Sequence, residues 1–320
     1  MNRRALWAWG RFIVPLLVLA VLSWRLGTGP FLDGLRMVDG RALAEAAGIA
    51  VLTTVCAAWR WKIVAGGLGV GLPLPAAVAA YYRSQFLNVT LPGGVVGDVH
   101  RGLSHGRDAR DVGRGLRAVA WERSAGQAVQ FVLTVVVLLL LPSPVSSAMP
   151  VVAVGAVVSV FAVVLVARAI PGGDRSVPAR IRTALGRDLR DALLSRGAWR
   201  GITLASVVVV AGHAATFMIA ARTAGSTAPA SQMLPIALLA MTGMVLPSAA
   251  GWGPREGVTA WAFGAAGLGA QQGVTTAVVY GVIAFVACLP GAAVLVVAWF
   301  RGIRLPETSP RPLPQTAAHV

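Results

Sequence analysis

The stretch from 223 to 300 constrains this chain most, because it carries only two charged residues, the adjacent Arg255 and Glu256. They follow the helix-breaking run LPSAAGWGP at 246–254, and long apolar segments lie on both sides. Charges and broken helices are costly in a bilayer and are tolerated where protein buries them or where they line a cavity. The stretch therefore predicts a functional site within a membrane protein.

The composition also favours a membrane protein. The 320 residues are 56% hydrophobic and 12% charged, whereas soluble domains carry about 25% charged residues. The net charge of +16 could indicate nucleic-acid binding, but the arginines fall in loops between apolar segments, where the positive-inside rule places them. We therefore expect membrane lipids with anionic headgroups as partners, and no nucleic acid.

Long apolar segments predict an all-α polytopic membrane protein with about six full transmembrane helices. Two further segments, 74–97 and 231–268, are interrupted by Leu-Pro and by glycines, and we interpret them as re-entrant helical hairpins. The expected domain is one integral-membrane unit over 1–304, followed by a disordered, Pro-rich cytoplasmic tail over 305–320. The six predicted spans are 11–27, 42–60, 115–141, 149–169, 200–222 and 272–300.

Lysine and arginine counts indicate the orientation. With both termini and the segments 59–73, 98–117 and 168–200 in the cytoplasm, the cytoplasmic segments hold 21 lysines and arginines, and the loops on the opposite side hold four. The two hairpins then enter from opposite faces, which is typical of transporters built from an inverted repeat. We expect the charged side chains of both hairpins, including Arg83 and Arg255, to share a hydrated groove near the midplane.

The first hairpin offers polar candidates. Gly93 and Gly94 permit close backbone approach to an anionic headgroup, and Arg83 could hold a phosphate through two hydrogen bonds. Alternatively, Arg83 could extend its long stem to the membrane interface. Glu122 and Arg123 open the third predicted span, where Arg123 begins a polar stripe that either faces the substrate or only bonds neighbouring helices.

Arg255 and Glu256 allow two interpretations. As a structural ion pair they would lock their hairpin to a neighbour, with Asp98, Glu122 or Arg123 as the candidate partner. As a functional pair, Arg255 would hold phosphate and Glu256 would supply a counter-charge, and we favour this substrate-contacting role.

The sequence contains no zinc-protease, serine-hydrolase or P-loop motif. Asp108 and Asp111 are spaced as in metal-dependent lipid transferases, but no second pair follows, and a solvated loop helix explains them better. Cys56 and Cys288 lie in apolar segments without metal-ligand spacing. We therefore expect no cofactor, no metal and no enzymatic activity.

These motifs resemble the transmembrane region of lysylphosphatidylglycerol synthases, also called the flippase-like domain family. The resemblance covers nearly the whole chain in the order and spacing of short motifs. It implies a lipid translocase of the bacterial inner membrane, and the end of the chain soon after the last predicted span implies a stand-alone member without the soluble synthase. The residues that carry it are Arg83, Asn88, Leu91, Pro92, Gly93, Gly94, Gly97, Asp98, Arg101, Glu122, Arg123, Pro247, Gly251, Gly253, Arg255 and Glu256.

The resulting hypothesis is a multi-pass translocase that moves an anionic or polyprenyl-phosphate-linked lipid between leaflets. Two alternatives stay open: a membrane-embedded transferase with Asp98 or Glu256 as base, and an anchor that binds a separate synthase or glycosyltransferase through the basic loop 171–200. A homodimer is compatible with each. The predicted substrate-binding residues are Arg83, Asn88, Gly93, Gly94, Asp98, Arg101, Glu122, Arg123, Arg255 and Glu256.

Overall fold

A computed structural model describes residues 16–91, 94–146, 186–193, 195, 197–244 and 252–303, with side chains as far as residue 300. The architecture is helical, which confirms the predicted all-α polytopic class. Within the described ranges we number the helices α1 (Leu16–Leu26), α2 (Gly29–Met37), α3 (Gly40–Gly67), α4 (Leu74–Thr90), α5 (Val96–Asp108), α6 (Val112–Leu140), α7 (Ala198–Thr223), α8 (Ala230–Gly243), α9 (Pro254–Ala265) and α10 (Ala270–Ile303).

Four of these helices, α3, α6, α7 and α10, are long and apolar enough to cross a bilayer. Helices α1 and α2 meet at a bend of 100° and would add a fifth crossing if the bent pair forms one span. The chain is therefore a multi-pass membrane protein. The predicted span at 149–169 and the predicted tail at 305–320 lie outside the described residues.

Helix α3 runs further than the sequence predicted. The Asp39 carboxylate accepts a hydrogen bond from the Ala42 amide at 2.7 Å, which caps its first turn. The helix then continues to Gly67, so residues 59–67 of the predicted loop 59–73 are helical. Arg60 lies within α3 and is 5% exposed, because its neighbours continue the buried helical face with Trp61 and Val64.

Helices α4 and α5 form the first hairpin. Leu91 ends α4 in an extended conformation, as expected for the residue before a proline. Helix α5 returns beside α4 and continues to Asp108. The predicted hairpin 74–97 ended at residue 97, so the length of this arm was underestimated. Even so, α4 has 17 residues and α5 has 13, fewer than the four apolar spans.

Helices α8 and α9 form the second hairpin, and the segment 245–251 between them lies outside the described residues. Gly253 precedes α9 with φ of 113°, a conformation that favours glycine. Pro254 takes the first helical position, where its missing N–H leaves no hydrogen bond unmade. Local sequence therefore specifies where this arm begins.

Helix α10 packs against both α4 and α9, and α3 packs along α7. Glycines allow these helices to approach closely: a Cβ at Gly291 of α10 would lie 2.2 Å from the Tyr82 carbonyl oxygen of α4. A Cβ at Gly212 of α7 would lie 2.3 Å from the Thr53 side chain of α3. Small residues at such crossings are typical of membrane helix bundles.

Candidate functional site

A buried network of charged side chains, here called the inner cluster, joins α3, α4, α5 and α6. Its centre is the fully buried Glu122 of α6, whose carboxylate accepts hydrogen bonds from the Arg60 guanidinium at 2.9 and 2.5 Å. Arg101 donates to the second carboxylate oxygen at 3.0 Å, and the Tyr81 hydroxyl donates to the first at 3.2 Å. Glu122 thus ties α6 to three other helices through charge-assisted hydrogen bonds.

Asp98, at the start of α5, is the second carboxylate of the inner cluster. It accepts hydrogen bonds from Ser84 and Arg101 at 3.0 Å each. Arg123 lies 2.6 Å from its other oxygen, and Asn88 donates to that oxygen at 3.1 Å. One carboxylate therefore holds both arms of the first hairpin and links them to α6.

The side chain of Asn88 also closes the hairpin, by a hydrogen bond to the backbone of α5. Its side-chain oxygen accepts a hydrogen bond from the Gly97 amide at 2.8 Å. Gly97 is required for this approach, because a Cβ there would lie 2.0 Å from the Ser84 carbonyl oxygen. Gly94 lies in the turn between the arms with φ of 68°, whereas Gly93 lies outside the described residues.

Arg101 is the most enclosed cation of the inner cluster. Its side chain is 0% exposed, and its guanidinium carbon lies 4.5 Å from the centroid of the Trp61 ring and 4.2 Å from the centroid of the Tyr81 ring. Both rings stabilise the cation through cation–π contacts. The ion pairs and the two rings together hold the guanidinium in place.

The inner cluster is not electrically neutral. It contains three arginines and two carboxylates, which leaves one net positive charge. Most of it is inaccessible, but the side chain of Arg123 is 44% exposed beside Asp98. A charged group within a membrane helix is costly, and Arg123 is the part of the inner cluster that lies at its exposed edge.

Arg83 lies close to this cluster but does not join its ion pairs. It lines a cavity of about 470 Å³ together with Trp61, Arg101, His105 and Asp108. Arg83 is only half-buried, but its Nε atom is fully buried and has no hydrogen-bond partner among the described residues. The structure thus brings Arg83 and Arg101 to one cavity.

The second hairpin holds a separate pair, here called the outer pair, formed by Arg255 and Glu256. Glu256 is fully buried, accepts from the Arg255 Nε at 2.9 Å and accepts from the Gly253 amide at 2.6 Å. The Arg255 guanidinium lies 5.4 Å from the Trp252 ring and 5.3 Å from the Tyr280 ring. The predicted partners Asp98, Glu122 and Arg123 are therefore wrong, because Arg255 pairs with its own neighbour in sequence.

The predicted shared groove for Arg83 and Arg255 is also wrong. A Cβ at Gly281 of α10 would lie 2.5 Å from the Arg255 guanidinium, whereas Val294 of the same helix lines the cavity beside Arg83. Thirteen residues at 1.5 Å per residue separate these points by about 20 Å along α10. The two hairpins carry their charges at different depths.

Sequence reasoning missed three members or neighbours of the inner cluster. Arg60 was assigned to a loop, and Trp61 and Tyr81 were not considered. The available signal was helical spacing: Ala57, Arg60 and Val64 are all buried and follow an i, i+3, i+7 pattern. A single arginine on such a face indicates a buried partner on another helix.

The loop segment 171–200, considered above as a docking site, is described from residue 186. Asp188 is 8% exposed and accepts hydrogen bonds from Arg117 at 2.8 Å and Trp121 at 3.2 Å. Ala192 packs against Gly67 at the end of α3. This part of the segment lies against the helix bundle.

Comparison with known proteins agrees with the motifs. The family model described as "Lysylphosphatidylglycerol synthase TM region" matches residues 7–291. That range includes the inner cluster, the outer pair and every residue that lines the cavity except Val294. No curated protein matches the chain. The chain belongs to the lysylphosphatidylglycerol synthase transmembrane-region family.

Proposed function

We propose that this protein is a lipid translocase of the bacterial inner membrane that moves an anionic or lipid-linked phospho-headgroup between leaflets. The observation that carries the proposal is the inner cluster, with its net positive charge and its half-exposed Arg123. Such an arrangement is costly in a bilayer and attracts a negatively charged group. Family membership supports a membrane role of this kind.

In this proposal the headgroup phosphate binds Arg123 and displaces part of its contact with Asp98. Asp98 keeps hydrogen bonds from Ser84 and Asn88, so it need not lose all its partners when Arg123 turns to the ligand. When the phosphate leaves, Asp98 pairs with Arg123 again. Because Asp98 pairs with Arg123 again, the ligand-free protein does not hold an unpaired charge, and the phosphate can be released. The acyl chains remain in the lipid throughout.

We further propose that α4 with α5, and α8 with α9, are re-entrant hairpins. In the sequence Pro92 lies between α4 and α5 and Pro247 lies between α8 and α9, and none of the four helices reaches the length of the spans. Broken helices of this kind are tolerated at membrane depth where protein or a cavity satisfies their ends. The capped start of α9 and the Asn88 closure of the first hairpin supply such partners.

The test uses vesicles containing a fluorescent phosphatidylglycerol, with a membrane-impermeant quencher to measure its transfer between leaflets. We expect the wild-type protein to accelerate transfer and Arg123→Gln to slow it about tenfold or more, because a charge-assisted phosphate contact is lost. The matched control is Arg114→Gln, since Arg114 lies on the same helix, is 50% exposed and pairs with Asp111 at 3.3 Å.

Two results would contradict the proposal. One is transfer no faster with wild-type protein than in protein-free vesicles, across phosphatidylglycerol and a polyprenyl phosphate. The other is equal slowing by Arg123→Gln and Arg114→Gln. A covalent change in the lipid, detected by mass spectrometry, would instead support the transferase alternative.

A further inference from the structure

Helix α6 carries an exposed, uncharged polar side chain at the middle of a membrane span. Gln127 follows residue 126, which is midway between the ends of Val112–Leu140, and it is exposed. Gln130 lies about one turn further along the helix and is half-buried. Neither side-chain amide forms a hydrogen bond with another residue in the described part of the chain. A helix that crosses the bilayer places both glutamines near the midplane.

The midpoint of α3 shows how polar groups are usually placed in a span. Thr53 and Thr54 lie there and are 5% and 1% exposed. Their hydroxyls donate to the Ala50 carbonyl oxygen and to the Gln85 side chain. A polar group in hydrocarbon is costly without a partner, so spans bury and bond such groups. The exposed amide of Gln127 departs from this arrangement, which indicates that it meets a polar group at this depth.

The two glutamines continue a line of polar side chains that begins at the inner cluster. Arg123, Gln127 and Gln130 have i, i+4, i+7 spacing, which places them along one face of α6, and we call them the polar stripe. Arg123 pairs with Asp98, and its side chain is 44% exposed. At 1.5 Å per residue, Gln130 lies about 10 Å from Arg123 along the helix axis. The polar stripe therefore runs from the exposed edge of the inner cluster to beyond the middle of the span.

The far end of the polar stripe lies close to the second hairpin. Within two turns of Gln130, Leu133 and Val137 of α6 pack against a buried cluster that includes Leu238 and Met241 of α8. Helix α8 is the first arm of the second hairpin. The polar stripe thus spans the interval between the first hairpin, at Asp98, and the second.

We propose that Gln127 and Gln130 position the headgroup while it crosses the middle of the membrane, by hydrogen bonds to its uncharged polar atoms. The inference rests on the proposed function and adds positioning residues to it, whichever lipid is moved. An amide offers both donors and an acceptor and carries no charge, so it exchanges weak bonds with hydroxyl, carbonyl or amide groups. An arginine at the same place would bind an anionic group more tightly and would slow its departure.

A second copy of this chain is the other partner that exposed glutamines suit, because amide side chains bond neighbouring membrane helices. The position of Arg123 favours the headgroup. A two-fold symmetric contact through this face would place the Arg123 side chains of both copies at the same depth and close together, where like charges repel. An anionic headgroup is attracted to the same arginine.

The experiment uses the full chain in vesicles with a fluorescent phosphatidylglycerol and a membrane-impermeant quencher. The fraction of labelled lipid is varied, so that the maximal transfer rate and the half-saturating fraction are measured separately. We expect Gln127→Leu to lower the maximal rate about fivefold and Gln130→Leu about threefold, because each removes a neutral hydrogen bond and Gln130 is less exposed. The half-saturating fraction should not change. Leucine is favourable in a membrane helix, so both variants should fold.

Two further variants separate hydrogen bonding from a structural effect. Gln127→Asn keeps the amide on a shorter stem and should retain at least about half of the wild-type rate. The matched control is Gln271→Leu, since Gln271 is an exposed glutamine in the first turn of α10, away from the middle of that span. This control should transfer lipid at the wild-type rate.

Several outcomes would overturn the inference. Wild-type rates in both leucine variants at positions 127 and 130 would show that the headgroup does not meet these amides. Equal slowing by Gln127→Asn and Gln127→Leu, or slowing by Gln271→Leu, would show that the amide itself is not required. A raised half-saturating fraction with an unchanged maximal rate would place Gln127 in the entry site. Slower transfer that accompanies dissociation of a cross-linkable dimer would assign the glutamines to a contact between copies.

The proposed function fails in a different way. Wild-type protein that moves no lipid refutes translocation and this inference with it. Wild-type transfer that Arg123→Gln slows, and that Gln127→Leu and Gln130→Leu leave unchanged, refutes the inference alone.

Discussion

The inner cluster and the outer pair are both buried ionic sites at hairpins, yet they differ in how they are assembled. The inner cluster draws its charges from α3, α5 and α6. It retains a positive charge, and two nitrogens of Arg101 have no hydrogen-bond partner among the described residues. The outer pair comes from adjacent residues of α9 and is neutral, with one carboxylate oxygen on Arg255 and the other on the Gly253 amide. The comparison indicates that the inner cluster is suited to a ligand and the outer pair to fixing a helix.

The largest difference between the two regions should follow removal of their central carboxylates. We expect Glu122→Gln to reduce the free energy of unfolding by about 3–5 kcal/mol, because it leaves Arg60 without its buried carboxylate and Arg101 with Asp98 alone. Glu256→Gln should cost less, since it affects one arginine whose contacts with Trp252 and Tyr280 remain. Thermal unfolding of both purified variants checks the order. An equal or reversed order would contradict the proposed difference.

A smaller difference in stability should follow from Gly→Ala substitutions at the close helix contacts of the two regions. Gly97→Ala places a Cβ 2.0 Å from a backbone oxygen, whereas Gly281→Ala places a Cβ 2.5 Å from the far end of the Arg255 side chain. We expect Gly97→Ala to cost about 3 kcal/mol and Gly281→Ala about 1 kcal/mol, because backbone cannot yield as a side chain can. Gly48→Ala on α3, where no atom lies within 4 Å, is the control and should not destabilise the protein. Equal losses at Gly97 and Gly281 would show that the first hairpin can open to admit the new methyl group.

The smallest expected effects come from two tyrosine hydroxyls. The Tyr81 hydroxyl donates to the Glu122 carboxylate at 3.2 Å, and the Tyr280 hydroxyl lies 3.4 Å from the His213 Nδ1 atom. We expect Tyr81→Phe to cost about 1.5 kcal/mol and Tyr280→Phe about 0.5 kcal/mol, because hydrogen bonds to charged groups are stronger than long neutral ones. Unfolding measurements on both variants test this, and a larger loss at Tyr280 would place the more important polar contact in the outer region.

Sequence patterns predicted the helical membrane fold because hydrophobic length and charge asymmetry are local properties. They also identified Asp98, Arg101, Glu122 and Arg123, since charges beside glycines or inside apolar helices are conspicuous. The pairing could not be predicted in the same way. A hydropathy profile ends the predicted span at Arg60. The carboxylate that pairs with Arg60 inside the bundle belongs to Glu122, which lies 62 residues away in the sequence.

The partners of the outer pair were predicted wrongly for the opposite reason. Its charges looked as though they needed a distant partner, but the start of α9 supplies a local one. Pro254 and Gly253 place Glu256 where its carboxylate reaches the Gly253 amide and the neighbouring arginine at once. A helix start with proline first and glutamate third is a short-range pattern, and it accounts for the pairing of Glu256 with Arg255 without a charged partner from another helix.

Helix α10 touches both regions, and its interior proline at position 290 lies between the two points of contact, at Gly281 and Val294. A proline inside a helix removes one backbone hydrogen bond and permits a bend there. Arg255 and the cavity beside Arg83 therefore contact α10 on opposite sides of Pro290. A change in the helix bend at Pro290 would shift one of these contacts relative to the other.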